Sequence, residues 1–220
     1  VLEDQNEIIN LIKERLPNRP VICFGHSLGS IINLNFALKY PNQVNALACW
    51  NSGIETGLLT KASRIILAIE GFFRNQNLPS LIAWKLSFEA WNSKFKPNRT
   101  KSDWLSRDEN EVNLYVGDPH CGFEVSISMW RDVLDGVFYA GNKINIQKLP
   151  KELPVHIVGG AEDPCTQNGS DMKKLAIKLQ KSGLSDVTCM ILEGTRHESL
   201  NEINRDQTTK QFIKWLEERF

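Results

Sequence analysis

The stretch Gly25-His26-Ser27-Leu28-Gly29 decides the fold of this chain. It fits the pattern G-x-S-x-G, in which a serine lies at the tip of a sharp turn between a strand and a helix. The turn strains the serine backbone and exposes its hydroxyl, and we expect the flanking glycines to leave room where strand and helix approach. Alone the pattern is weak, because chance places it in about one chain of this length in ten or fifteen.

The sequence on both sides of the turn supports this interpretation. The run Pro20–Phe24 before it is short and apolar, as a buried parallel strand requires. Residues Ser30–Tyr40 after it carry apolar side chains at helical spacing and end at Pro41-Asn42. Strand, turn and helix therefore follow one another in the order that the motif demands.

A serine nucleophile needs a base, and the chain offers four histidines. His26 lies within the turn, where its side chain is displaced from the serine. His156 falls in a predicted core strand and is expected to pack there. His120 lies in a loop of the middle segment, and a surface role or a substrate-facing role stays open for it. His197 follows the strand predicted at 187–192, where a loop can reach the turn, so His197 is the candidate general base.

The carboxylate that orients the base is expected after the preceding strand. Asp163 follows the strand predicted at 154–158, at the carboxyl end where catalytic groups of parallel sheets gather. Glu162 is the neighbouring competitor, and Asp163-Pro164 is also an ordinary turn signal. Asp186 precedes a strand and so belongs to the other edge of the sheet. These positions favour Asp163.

Three motifs and a middle stretch together resemble a known family. They are Gly25–Ser30, Gly159–Pro164, Arg196–Glu202, and Trp104–Asp108 with Asp118–Phe123. The chain resembles the bacterial lysophospholipase and monoacylglycerol-lipase-like branch of the α/β-hydrolases, often described as serine aminopeptidase-type hydrolases. The resemblance covers nearly the whole chain. It implies a mostly parallel sheet with helices on both faces and an inserted helical cap, and it is specific for fold and triad but poor for substrate.

The predicted activity is hydrolysis of carboxylic esters through Ser27, His197 and Asp163, with the Leu28 N–H helping to hold the oxyanion. The expected substrates are mono-acyl lipids of the lysophospholipid or monoacylglycerol type. No metal or organic cofactor is required. Two alternatives stay open: peptidase or acyltransferase chemistry on the same triad, and a truncated, non-catalytic hydrolase-like module that binds a ligand or partner.

One departure from the family concerns the second oxyanion donor. Family members carry further strands before the turn and a loop ending in His-Gly, which supplies one N–H. Here a single helix, predicted over Glu7–Leu16, precedes the turn, and no His-Gly occurs. The expectation is that the chain corresponds to the carboxyl-terminal part of a hydrolase. Residues 1–220 alone would then be poorly active, and the open sheet edge would associate with other chains.

Three segments emerge from the pattern of strands and helices. Residues 1–53 and 149–220 alternate strands with helices and predict the hydrolase core. Residues 54–148 lack core-strand signals and predict a helical cap. This cap segment holds 12 of the 19 aromatic residues. For any single ring, packing in the cap's own core is the favoured role. As a set, the rings predict a cap over an apolar pocket for an acyl chain, whose individual residues the sequence leaves undefined.

The amino-acid composition limits which binding partners and which cell compartment are expected. The 26 basic and 26 acidic residues cancel, and no basic stripe suggests nucleic acid. No apolar run of about 18 residues predicts a transmembrane segment, which leaves contact with a membrane surface open. The five scattered cysteines favour a reducing compartment, so a cytoplasmic location is expected. Three of them, Cys23, Cys49 and Cys189, fall in predicted core strands. The oligomeric state is undefined.

Overall fold

A four-stranded parallel sheet forms the centre of the computed structural model, which describes residues 1–220. The strands are β1 (Ile22–His26), β2 (Ala46–Trp50), β3 (Val155–Gly160) and β4 (Val187–Leu192), in the order β1-β2-β3-β4. Every residue of β2 and β3 is buried, as expected for central strands that are covered on both faces. β1 and β4 are the edge strands, and Phe24 of β1 is 37% exposed.

Helices cover both faces of this sheet. The helices outside the middle segment are α1 (Leu2–Arg15), α2 (Leu28–Lys39), α9 (Ser170–Lys181) and α10 (Arg205–Glu217). Side chains of α2 and α9 join Leu47 and Ile157 in the larger core. Phe212 of α10 packs on Trp50 and Val158 from the other face. The alternation of side chains along each strand thus divides the core into two layers.

The chain between β2 and β3 is mainly helical. Its elements are α3 (Leu58–Phe73), α4 (Leu81–Trp84), a π-helical turn (Lys85–Glu89), α5 (Ala90–Asn92), a 3₁₀ turn (Ser93–Phe95), α6 (Glu109–Gly117), α7 (Ile127–Ala140) and α8 (Lys143–Ile146). Helix α7 packs against both α2 and α3, and so joins this region to the core. No helix combines the length and the apolar character needed to cross a bilayer.

Two regions differ from what the sequence predicts: helix α1, and Cys189 in β4. Helix α1 begins at Leu2 rather than Glu7, and within the predicted range Glu7–Leu16 only Ile9 is buried. Cys189 is exposed because its strand, β4, lies at the sheet edge, where packing covers it only partly.

Candidate active site

The turn after β1 has the backbone of a strained elbow. Ser27 has φ 51° and ψ −118°, a conformation that side-chain-bearing residues rarely adopt. Gly25 is required here, because a Cβ at this position would lie 2.3 Å from the carbonyl oxygen of Gly29. A Cβ on Gly29 would meet no atom within 4 Å. The expectation that both glycines relieve a collision is therefore right for Gly25 and wrong for Gly29.

Ser30, which the sequence analysis did not single out, fixes the elbow to the next strand. Its buried hydroxyl donates to the carbonyl oxygen of Gly25 at 2.6 Å and accepts from the amide of Trp50 at 2.7 Å. The amide of Ser27 also donates to the carbonyl oxygen of Trp50 at 2.9 Å. The elbow is thereby held at the carboxyl end of β2 as well as β1.

The structure brings Ser27, His197 and Asp163 together in one chain of hydrogen bonds. The Nε2 atom of His197 lies 2.9 Å from the hydroxyl oxygen of Ser27. Its Nδ1 atom lies 3.1 Å from each carboxylate oxygen of Asp163. Asp163 is fully buried and His197 is 2% exposed. The three side chains come from loops after β1, β3 and β4, all at the carboxyl edge of the sheet.

Asp163 is held as an anion by several donors. The hydroxyl of Thr166 and the amide of Cys165 each donate to it at 2.9 Å, and the amide group of Asn51 at 3.3 Å. Burial alone would raise the pKa of Asp163, but His197 and these side-chain donors outweigh it, and the pKa is lowered. Ser199 in turn donates to Asn51 at 2.7 Å.

These supporting residues were not among the predicted site residues. Asn51 carried a usable signal, because it directly follows β2 just as the acid and base loops follow their own strands. Thr166 and Ser199 carried none, since short hydroxyl side chains in loops are common.

His197 has the electrostatics of a base paired with a carboxylate. Burial alone would lower its pKa, whereas the charge of Asp163 and the hydrogen bond to it raise the pKa, and the net direction is upward. The imidazole therefore gains a proton more readily than a free histidine does. That change is the one a general base needs while the serine hydroxyl is attacking.

The competing carboxylates lie elsewhere. Glu162 is exposed, and its amide donates to the carbonyl oxygen of Thr195. Asp186 accepts two hydrogen bonds of 2.8 Å from Arg219. Neither side chain reaches His197, so Asp163 is the carboxylate that the geometry selects.

The other histidines have separate environments. His156 is buried in β3, where its Nδ1 accepts from the indole of Trp50 at 3.1 Å; burial and then the charge of Arg219 lower its pKa to about 4. The Nε2 atom of His26 lies 2.8 Å from the carbonyl oxygen of His197. The elbow thus contacts the loop of the candidate base directly.

Asp163, Cys165 and His197 also place three metal-ligating atoms within 4.8 Å of one another. Two of these groups are already paired with each other. Burial, with the nearby charges of Asp163 and Asp171, raises the pKa of the Cys165 thiol well above its usual value. A neutral thiol is a poor metal ligand, so the cluster has the character of an acid–base pair.

Leu28, the candidate oxyanion donor, is the first residue of α2 and directly follows Ser27. Amides in the first turn of a helix have no partner within the helix and can hydrogen-bond to a ligand. Its position therefore fits the expected role.

Aromatic side chains of the segment between β2 and β3 pack over the site. The indole of Trp104 lies against the ring of His197, with 4.7 Å between ring centroids. Phe88, in the π-helical turn, contacts Trp84, Trp91, Trp104 and Trp130 at centroid distances of 4.8 to 5.7 Å. Many of the aromatic residues of the middle segment thus form one cluster, and Trp104 of this cluster packs directly on the candidate base.

A cavity of about 240 Å³ lies beside this cluster. Its walls are mainly apolar, and the exposed loop residue His120 belongs to them. The lining residues are Trp84, Phe88, Lys101, Ser102, Trp104, Tyr115, His120, Cys121, Gly122, Phe123 and Val125.

Buried polar contacts join the segment that carries Trp104 to the loop that carries His197. Glu202, fully buried, accepts from the backbone amides of Arg107 and Arg196 at 3.1 and 2.9 Å and from the guanidinium of Arg107 at 3.0 Å. The guanidinium of Arg196 donates to the carbonyl oxygens of Asp103 and Ser106 at 2.6 and 3.1 Å. We call residues 103–108 the anchor segment.

Known proteins resemble the chain over most of its length. The rat (Rattus norvegicus) monoglyceride lipase is 26% identical over 199 residues, which are 89% of this chain and 57% of the rat protein. The chain therefore spans little more than half the length of that relative.

Solved structures share the fold. A thermostable carboxyl esterase from Bacillus coagulans superimposes with a TM-score of 0.85 at 21% identity, covering 98% of this chain and 70% of the esterase. The monoacylglycerol lipase of Paleococcus ferrophilus gives 0.70 at 21% identity, covering 98% of this chain and 74% of the lipase. The monoglyceride lipase of Saccharomyces cerevisiae gives 0.71 at 18% identity, covering 99% and 67% of the two chains.

The sequence profile of the family described as serine aminopeptidase, S33, matches residues 1–204. This match covers the elbow, the helices between β2 and β3 and the loops that carry Asp163 and His197. Together with the sheet and its flanking helices, it shows that the chain belongs to the serine aminopeptidase S33 family of α/β-hydrolases.

Proposed function

We propose that the chain hydrolyses carboxylic esters of mono-acyl lipids, of the monoacylglycerol or lysophospholipid type, through an acyl-enzyme on Ser27. The observation that carries the proposal is the continuous contact from the Ser27 hydroxyl through His197 to the buried carboxylate of Asp163. Family membership and the fold shared with esterases and lipases support it.

In the proposed reaction the Nε2 atom of His197 takes the Ser27 proton while the serine oxygen attacks the ester carbonyl carbon. Asp163 keeps the Nδ1 proton in place and stabilises the imidazolium. The imidazolium then protonates the leaving alcohol as the carbon–oxygen bond breaks. A water molecule, deprotonated by the same imidazole, attacks the acyl-enzyme and releases the fatty acid and the free serine.

The tetrahedral intermediates need donors for their oxyanion. We assign one donor to the amide of Leu28, because it follows the nucleophile at the start of α2. Loss of a single oxyanion donor typically costs about a hundred- to a thousandfold in rate. A second donor is not assigned.

The substrate class rests on the cavity beside Trp104. Seven of its 11 lining residues are hydrophobic, and such a wall suits an apolar chain better than a large polar group. A peptidase would need partners for the peptide's polar backbone, which this apolar wall offers poorly. The curated relative named for monoglyceride hydrolysis points the same way.

We also propose that the enzyme works in contact with a membrane surface, through the apolar side of α3. Leu58, Leu59, Phe72 and Phe73 are each between 78 and 85% exposed, and Ile65 and Ile69 on the same helix are more than half exposed. A run of exposed apolar side chains along one helix is typical of interfacial helices. Such contact would give the cap access to substrates held in lipid.

A cytoplasmic location is part of this proposal. All five cysteines are free thiols, as a reducing compartment permits. Separation of cells into fractions, with detection of the chain by antibody, tests it; recovery from an oxidising compartment would contradict it.

The experiment that tests the activity combines covalent labelling with product analysis. A fluorophosphonate should label the wild-type chain, and a series of monoacylglycerols, lysophospholipids and water-soluble esters should release free acid. Transfer of the acyl group to an alcohol, or cleavage of aminoacyl amides in preference to esters, would favour the alternative activities. Absence of both labelling and turnover would favour a binding module.

A further inference from the structure

A second cavity, of about 420 Å³, has no residue in common with the candidate active site. Four of the eight residues that line it are lysines: Lys143 at the start of α8, and Lys174, Lys178 and Lys181 on α9. We call this cavity the lysine groove. Glu55 is the one acidic residue in its wall.

The three lysines of α9 share a side of the helix because they are spaced by four and three residues. The opposite side of α9, which includes Leu175 and Leu179, is buried in the core. The backbone positions of the three lysines are therefore fixed on the groove side of α9, and Lys143 comes from a different element.

The groove carries more positive charge than its neighbours neutralise. Lys174 pairs with Asp171 at 2.9 Å, and Lys178 lies 3.6 Å from Glu55. Lys143 and Lys181 are exposed and have no carboxylate within ion-pair distance. In a chain whose formal net charge is zero, this is a local excess that attracts an anion.

The wall of the lysine groove is linked by a short stretch of chain to the first turn of α3. Glu55, in the groove wall, lies three residues before Leu58, which limits their separation to about 11 Å. Gly141, another wall residue, packs so closely on Thr56 that an added Cβ would lie 2.8 Å from its methyl group. Leu58 is 85% exposed and Leu59 is 79% exposed. The wall of the lysine groove and the first exposed leucines of α3 are thus close along the chain.

We propose that the lysine groove binds the phosphate head group of an anionic phospholipid in the bilayer that α3 contacts. The inference rests on the membrane contact proposed above. Lysine ammonium groups donate hydrogen bonds to phosphate oxygens and act as point charges. A negatively charged surface attracts each nearby lysine, and exposed apolar side chains add burial in the interface. The groove would orient the cap on anionic membranes.

The test measures binding of the full chain to sedimented vesicles made of phosphatidylcholine, with or without phosphatidylglycerol. The groove variant is Lys143→Gln with Lys181→Gln. The matched control is Lys210→Gln with Lys214→Gln, which removes the same charge from α10 on the other face of the sheet. We expect the groove variant to bind anionic vesicles about 25-fold more weakly, or about fivefold per lysine, and the control to stay within about twofold of wild type.

Two further arms separate this proposal from the one on which it rests. Leu58→Ser with Leu59→Ser should weaken binding to both kinds of vesicle, whereas the groove variant should change binding only to the anionic kind. Hydrolysis of a water-soluble ester is measured independently, so an inactive chain would refute the proposed activity without altering the vesicle result. Equal binding of anionic vesicles by wild type and groove variant would overturn the proposal. Saturable binding of inorganic phosphate without preference for anionic vesicles would also overturn it.

Discussion

The indole ring of Trp104 packs on the imidazole ring of His197, with 4.7 Å between centroids and 39° between the ring planes. The same indole lines the cavity proposed for the acyl chain. One side chain therefore contacts both the candidate base and the space where a substrate would bind, so the filling of the cavity and the position of the base are physically connected.

Replacing Trp104 with leucine should lower kcat for soluble esters by about two- to tenfold, because an aromatic contact of this kind is worth about 0.5–1.5 kcal/mol. Trp104→Phe should restore part of the loss. Trp91→Leu is the control, since Trp91 contacts Trp104 at 4.9 Å but does not line the cavity. Equal losses in the two leucine variants would indicate general weakening of the aromatic cluster instead.

Replacing Ser27 with alanine should abolish fluorophosphonate labelling and reduce ester turnover by at least about 10⁴-fold, because no other hydroxyl lies at the tip of the elbow. The fold should persist, as circular dichroism can check. Ser93→Ala, at an exposed serine between β2 and β3, is the matched control and should label normally. Undiminished labelling of Ser27→Ala would refute the assignment of the nucleophile.

Replacing Asp163 with asparagine should reduce kcat by about 10⁴-fold, because an amide favours the wrong imidazole tautomer. Glu162→Gln, at the exposed neighbour, should change kcat little. Steady-state kinetics on one soluble ester compares the two. A larger loss from Glu162→Gln would show that the wrong carboxylate had been selected.

Ester hydrolysis should depend on a group whose pKa is above the usual 6.5 of histidine. Although burial opposes it, Asp163 raises the pKa of His197, and the base works only while neutral. Turnover should therefore be high at alkaline pH and fall as the pH drops through this raised value. In Asp163→Asn the midpoint of the residual activity should move to lower pH. A wild-type kcat/KM profile with its midpoint below 6.5 would contradict the prediction.

Replacing Glu202 with glutamine should destabilise the fold by about 2 kcal/mol, since hydrogen bonds to a buried charge are lost or weakened. The melting temperature should then fall by about 4–8 °C. Glu217→Gln, at an exposed position of α10, is the control and should melt like wild type. Differential scanning calorimetry provides the measurement, and an unchanged melting temperature for Glu202→Gln would show that the anchor segment is held by other contacts.

The sequence predicted the parallel sheet and the positions of Ser27, Asp163 and His197 because each is fixed by local order: a strand, then a loop at its carboxyl end. It could not predict the contacts of Glu202 or Trp104. These join residues more than 90 positions apart, and no local pattern specifies which cap residue meets which loop. Burial of α1 was overestimated for a related reason, since an apolar pattern does not show how much of a helix its neighbours cover.

The buried carboxylate of Glu202 has a consequence for engineering by exchange of parts. The anchor segment and the loop that carries His197 are joined by hydrogen bonds between residues 90 or more positions apart in the sequence. A segment between β2 and β3 transplanted from a relative would bring its own anchor segment but meet the recipient's His197 loop. A chimera that exchanges residues 54–148 would therefore work only if the anchor segment and its partners Arg196 and Glu202 come from the same parent. Substrate preference and the position of the base would then be inherited together.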